Sequence, residues 1–481
     1  MSVVTVQESG ISKILKSTPY QSSAATEVQD LICVGFGPAS LAIGTAIEDT
    51  YSNSLGPRPK VQFLEKQEKF AWHSGMQIPG ARMQISFLKD MATPRNPNSK
   101  FTFLSYLHAN NRLNHFINLD TFLPARLEYE DYLRWCASHF EKKGLVSYGQ
   151  EVVEVSPSSV DAEGKVDQFR VVSRDFASGE LSTRLARHVV VAVGGKAVLP
   201  KAFPQQHPRV LHSSKYVVQV NLALTDPQKP YNIVVVGNGQ SAAEIFNDLP
   251  SRFPNAKVTL LIRGSALRPS DDSPFVNEVF DPDRVDCLFQ KTEEERKRTI
   301  KQDLGTNYGV VRLNLLEHLY DRMYMQRLHN ADPSTWKVQI KNNCEVIQSE
   351  LVGDKIKITI QPVQQDSTIK REEMVVDAIF VATGYLRDSH QQILKKTKGL
   401  LPKESQAAEA RFPVRRDYKV QFDGAKVAEN AGVWLQGCNE ATHGLSDTLL
   451  SILAVRGGEM TKSIFGDFEQ ENKNTRVRSM L

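Results

Sequence analysis

Cysteine is scarce in this chain: it occurs five times, at positions 33, 136, 287, 344 and 438, and never as CxxC. That spacing offers neither a disulfide framework nor a zinc site, and it fits a reducing compartment. No apolar run reaches the ~18 residues that span a bilayer. The first 29 residues, rich in Ser, Thr and Gln, lack the apolar core of a secretory leader and read as a disordered tail. Excess charge of one sign is missing too: 59 Lys and Arg stand against 55 Asp and Glu, with no basic block interleaved with aromatics. The electrostatic footprint of a nucleic-acid binder is therefore absent. A GxSxG elbow is also lacking, so the neighbouring His443, Ser446 and Asp447 do not make a hydrolase triad. Asp271 and Asp272, without a His or a spaced third oxygen, fit a solvated turn and no metal site.

What is present is a strand, glycine turn and helix, twice. The 481 residues, 41% of them apolar, can bury a core divided into two or three lobes. In YNIVVVGNGQSAAEIF, from Tyr231, the short β-branched run ends at Gly237, Asn238, Gly239 and Gln240, and a helix begins at Ser241. Such a turn lets backbone approach a pyrophosphate. The next strand, Val258 to Ile262, ends in Arg263 rather than an acid, which suits the 2′-phosphate of NADPH. The earlier copy runs from Leu31 through Gly35, Gly37, Pro38 and Ser40, and its second strand, Val61 to Leu64, ends in Glu65. A carboxylate there takes ribose hydroxyls, which fits FAD. Ser40 replaces the usual Gly or Ala, and an insertion around residues 51–60 lengthens the spacing to Glu65.

Between and beyond these units lie long loops. Residues 70–97 offer Trp72, His73, Met83 and Gln84 to a ring system and Lys89 as a lone cation. Residues 101–140 have helical spacing, and strands are expected near 152–155, 168–173 and 188–193. A charged helix over Thr292–Lys301 precedes Thr306, Asn307 and Tyr308, and a further helix runs through Met325. Residues 333–375 read as a small sheet and 395–430 as polar surface, and a last helix should open at Thr448. FAD followed by NADPH in one chain implies hydride transfer to flavin, and without a redox cysteine pair the acceptor is O2 or an electron-transfer partner.

GFGPASLA at 35–42, FAWHSGM at 70–76, MQISFLKDMATPR at 83–95, SDDSPFVNEVF at 270–280, FVATGY at 380–385 and THGLSDTLLSILAVR at 442–456 resemble the L-ornithine N5-monooxygenases of hydroxamate siderophore biosynthesis, the fungal ones most closely. HSSKY at 212–216 matches half of the flavin-monooxygenase signature, and the other half is missing near Phe203. The resemblance implies an α/β fold with two Rossmann-like dinucleotide-binding domains and a small, mainly helical substrate domain. It places FAD in residues 30–213 and 391–481, NADPH in 214–271 and 325–390, and substrate in 272–324. It further implies that oxygen adds at flavin C4a and that the hydroperoxide delivers its distal oxygen to the N5 amine. FAD contacts are expected from Gly35, Gly37, Pro38, Glu65, Lys66, Trp72, His73, Met83, Gln84, Val152, Thr448, Leu449 and Leu450. NADPH contacts are expected from Gly237, Asn238, Gly239, Gln240, Ser241, Arg263, Asn307, Tyr308 and Gly309. Lys89, Asn277, Phe280, Asn307 and Ser451 would hold L-ornithine, with Lys89 and Asn307 in the catalytic roles.

The chain is expected in the cytoplasm with no membrane or nucleic-acid partner, and the resemblance implies a homotetramer. The C-terminal Ser479, Met480 and Leu481 echo a peroxisomal address weakly. The alternatives are an L-lysine N6-hydroxylase, another class B flavin monooxygenase, and a flavin-binding redox or interaction protein.

Overall fold

The two β-branched runs become central strands of two parallel sheets. In the computed structural model, residues 27–51, 58–204, 206–363, 371–407 and 410–480 are described, with 467–480 by backbone alone. The expected tail therefore lies outside the described residues up to 26, and Gln29 already belongs to the first strand. Leu481 lies outside them as well.

In the first sheet, strand Gln29–Val34 pairs in parallel with Val61–Leu64 on one side and with the end of Leu181–Val191 on the other. Val146–Ser147 and Gly432–Leu435 extend it in parallel at the two flanks. Leu31, Ile32 and Cys33 are fully buried, as expected of a strand covered on both faces. Gln150–Val160 and Val166–Asp175 continue the sheet as an antiparallel meander from the start of Leu181–Val191. Helix Pro38–Tyr51 crosses from the first strand to the second, with Pro38 at its first turn, where a missing N–H costs nothing.

The second sheet is parallel throughout, in the order Val338–Lys341, Lys257–Leu261, Asn232–Val236, Ala378–Val381 and Val210–His212. Helix Gln240–Arg252 makes its first crossover. Val210–His212 belongs to this sheet, although a boundary at 213 would leave it with the first. A three-stranded antiparallel sheet, Cys344–Val352, Lys355–Pro362 and Glu372–Val376, packs against it through Ile356, Ile358 and Ile360.

Three expectations need correction. Residues 395–430 are not polar surface: Leu400, Leu401, Phe412, Val414, Val420 and Val427 are buried with the first sheet. Singly spaced apolar residues in irregular backbone show no period, so the pattern did not reveal them. The charged helix runs on from Glu293 to Asn307, opened by a Thr292–Glu295 capping box and closed by Gly309 at φ +72°. The last helix begins at Leu453, not Thr448, because Leu445–Thr448 and Leu450–Ile452 are tight single turns with Leu449 extended between them.

Candidate active site

One cleft of about 2360 Å³ runs between the two sheets, and every candidate contact named above lines it. Gly35 takes φ +91°, and a Cβ there would stand 2.6 Å from the Ala192 carbonyl. Only glycine fits that turn. Gly37, by contrast, would point a Cβ into open space at the start of helix Pro38–Tyr51, leaving room for a ligand over the backbone. The second unit repeats the arrangement: Gly237 has φ +146° with a Cβ position 2.5 Å from the Ala382 carbonyl, while Gly239 meets nothing closer than Gly309, at 3.8 Å. Two close-approach turns, each opening a helix, fit two dinucleotide phosphates.

Glu65 is buried and accepts hydrogen bonds from the backbone N–H of Phe36 at 2.8 Å and of Gln67 at 2.9 Å. The carboxylate is thereby fixed beside the first glycine turn. Arg263 lies at the second turn with its side chain 71% exposed and paired to Glu345 at 3.1 Å. The Asn238 side-chain Oδ1 accepts from the Arg263 backbone N–H at 3.1 Å, tying the turn to the end of the next strand.

The loop over residues 70–97 is held by close backbone contact. A Cβ on Gly75 would fall 2.0 Å from the Ser214 carbonyl, so FAWHSGM and HSSKY meet where only glycine fits. His212 accepts from the Ser214 N–H at 3.1 Å through Nδ1 and faces the Gly384 carbonyl at 3.0 Å through Nε2, which joins ATGY to the same knot. His73 adopts φ +48°, and burial, with the Arg126 and Arg387 cations, pushes its imidazole down to about 4. It stands neutral at the cleft wall.

Among the residues expected to hold substrate, Lys89 Nζ is 3.4 Å from Asp281 Oδ1. Asn277 Nδ2 donates to the Asp272 carbonyl at 2.9 Å, and Ser451 Oγ donates to the Phe280 carbonyl at 3.2 Å. Segment 306–309 crosses beside the second glycine turn, and Asn307 lines the same cleft. Burial and the Glu440 carboxylate, 2.5 Å away, push the Tyr308 phenol up to about 12. Asp447 and Arg456 form a fully buried ion pair at 2.8 Å behind the turn 445–448. The charge partners Asp281, Glu345, Glu440, Arg126 and Glu244 were not visible in the sequence, since each meets its partner across a long separation.

The model of the family described as L-lysine 6-monooxygenase/L-ornithine 5-monooxygenase matches residues 27–387. The chain belongs to this family. An L-ornithine N(5)-monooxygenase of Emericella nidulans is 51% identical over 95% of this chain and 93% of its own. One from Aspergillus oryzae is 50% identical over 100% and 97%. Among solved structures, the ornithine hydroxylase PvdA of Pseudomonas aeruginosa superposes with a TM-score of 0.81 at 36% identity, covering 92% of this chain and 99% of that one. The Kutzneria ornithine N-hydroxylase KtzI, described with reduced FAD, NADP+ and L-ornithine, gives the same TM-score at 32% identity, over 92% of this chain and 100% of its own. As expected from the motifs, this monooxygenase family member has two Rossmann-like units for FAD and NADPH.

Proposed function

We propose that this family member is an L-ornithine N5-monooxygenase, which uses NADPH and O2 to hydroxylate the side-chain amine and so opens hydroxamate siderophore synthesis. One observation carries the reading: two pyrophosphate turns and the candidate amino-acid contacts share a single cleft. Bound FAD supplies the activation of O2 and the electrons for it. The chain's own residues bind, orient and desolvate. Lys89 is a point cation for the substrate carboxylate, with Asn277 lining the same cleft. The Ser451 hydroxyl, locked to the Phe280 carbonyl, closes the pocket.

An alkyl ammonium with pKa near ~10.4 costs roughly 4 to 5 kcal/mol to deprotonate at neutral pH in water. Asn307 offers a neutral amide to the amine, which orients it without favouring the charged form. Arg263 is assigned to the 2′-phosphate, for which Glu345 holds its place. Lysine differs by one methylene, worth only ~1 to 3 kcal/mol in a pocket, so ornithine and lysine must be compared directly.

The test is hydroxylamine formation by the purified yellow protein, measured against NADPH consumed, with ornithine, lysine and no amine. Ornithine-dependent, coupled product is the expected outcome. Peroxide without hydroxylamine would favour a flavin-binding redox protein, and lysine-dependent product a lysine N6-hydroxylase. We further propose a cytoplasmic homotetramer. Five free thiols fit that compartment, and the exposed row Leu313, Tyr320, Tyr324 and Leu328 on one helix fits self-association. Light scattering reads the assembly directly.

A further inference from the structure

The ion pair between Arg126 and Glu244 crosses from one nucleotide unit to the other. Arg126 opens helix Arg126–Glu141 in the first unit, and Glu244 sits one turn into helix Gln240–Arg252 in the second. The pair is bidentate, with Nη1 to Oε2 at 2.8 Å and Nη2 to Oε1 at 2.7 Å, and the side chains are only 13% and 7% exposed. Arg126 Nη1 also donates to the Met76 carbonyl at 2.7 Å, inside the loop that carries the candidate flavin contacts.

The network does not stop there. Gln240 Nε2 donates to Glu244 at 2.9 Å, and Gln240 Oε1 accepts the Arg312 N–H at 2.9 Å. Arg312 Nη1 then returns to the first unit and donates to the Met83 carbonyl at 3.0 Å. The result is a closed circuit: loop 70–97, helix Arg126–Glu141, the first turn of helix Gln240–Arg252 and the backbone just after Asn307–Gly309. The side chain of Gln240 gives one N–H and its oxygen to it.

Stability alone is a poor account of such a circuit, because buried ion pairs are commonly matched or bettered by well-packed apolar side chains. What a forked guanidinium supplies is a fixed distance and angle. Here the fixed distance is the one between loop 70–97 and the helix that opens at the second glycine turn. Hydride transfer is steep in that distance, and a misplacement of about 1 Å costs on the order of 100-fold.

Resting on the FAD and NADPH reading above, we infer that Arg126, Glu244 and Arg312 are positioning residues that set the approach of nicotinamide to flavin. They thereby govern the rate at which one hydride, with its electron pair, leaves NADPH and reduces the flavin.

The experiment is anaerobic flavin reduction in holoenzyme carrying Glu244→Gln, which keeps the shape and the Gln240 contact but removes the charge. Flavin absorbance is followed with saturating NADPH and, separately, with dithionite, and bound FAD is measured. The expected result is a fall of about tenfold or more in the NADPH rate, with the dithionite rate and FAD content unchanged. An unchanged NADPH rate, or an equal fall with both reductants, would overturn the inference. If Glu244→Gln does not fold, Arg312→Lys, which leaves the buried pair intact, is judged by the same two rates. Failure of NADPH to reduce the unsubstituted holoenzyme would instead sink the cofactor reading.

Discussion

Asn307 closes a 15-residue helix, and its amide reaches the cleft because Gly309 turns the chain immediately afterwards. On the proposed assignment, replacing it with Asp puts a carboxylate where the amine must lose its proton. The ammonium is then stabilised, its pKa rises, and the pH profile for hydroxylation moves to higher pH. Steady-state product formation from pH 6.5 to 9.5 checks this, and an unmoved profile contradicts the role. Arg263 poses a different balance. Its exposed pair with Glu345 is worth roughly 0 to 1 kcal/mol, so a doubly charged phosphate can displace it. Arg263→Ala should raise KM for NADPH about tenfold or more while moving KM for NADH little. Equal changes for both coenzymes would remove the 2′-phosphate assignment.

At the scale of elements, the glycine turns were legible because their chemistry is local: a β-branched strand, a positive φ and a helix start lie within ten residues. The knot under the flavin loop was not. Nothing in FAWHSGM announces that Gly75 packs against the Ser214 carbonyl, 139 positions away. The interior of 395–430 was hidden for a related reason, since Leu400, Phe412 and Val420 pack from turns without a repeating face. Helix Leu313–His329 was seen from its pattern, whereas the circuit through Arg312 depends on contacts spanning 72 and 229 positions. Gly75→Ala tests the knot. A Cβ 2.0 Å from a carbonyl oxygen forces loop 70–97 to shift. The expected outcome is reduced FAD retention on gel filtration and a Tm several degrees lower, as for about 1 to 3 kcal/mol of strain. Full retention would show that the loop is not held there.

For the whole molecule, two buried imidazoles set an acid limit. Burial, first among the causes, pushes His188 down to about 3 and His443 to about 4. Each is below the ordinary 6.5 in the folded state. Well above pH 6.5 both are neutral, folded or unfolded, and their contribution to stability is complete. As pH falls below 6.5 the unfolded chain takes up protons that the native state refuses, so stability declines towards pH 4. Urea midpoints at pH 7, 5.5 and 4.5 should fall in that order, and His188→Phe should flatten the decline. A flat profile would mean that these rings titrate normally.

On the proposed assignments, residues 306–309 form a partition, with the diamino acid against one surface and the coenzyme against the other. Whichever guest arrives stiffens the wall on which its neighbour leans. Each should therefore lengthen the other's residence, and thermodynamics requires the two enhancements of affinity to be equal.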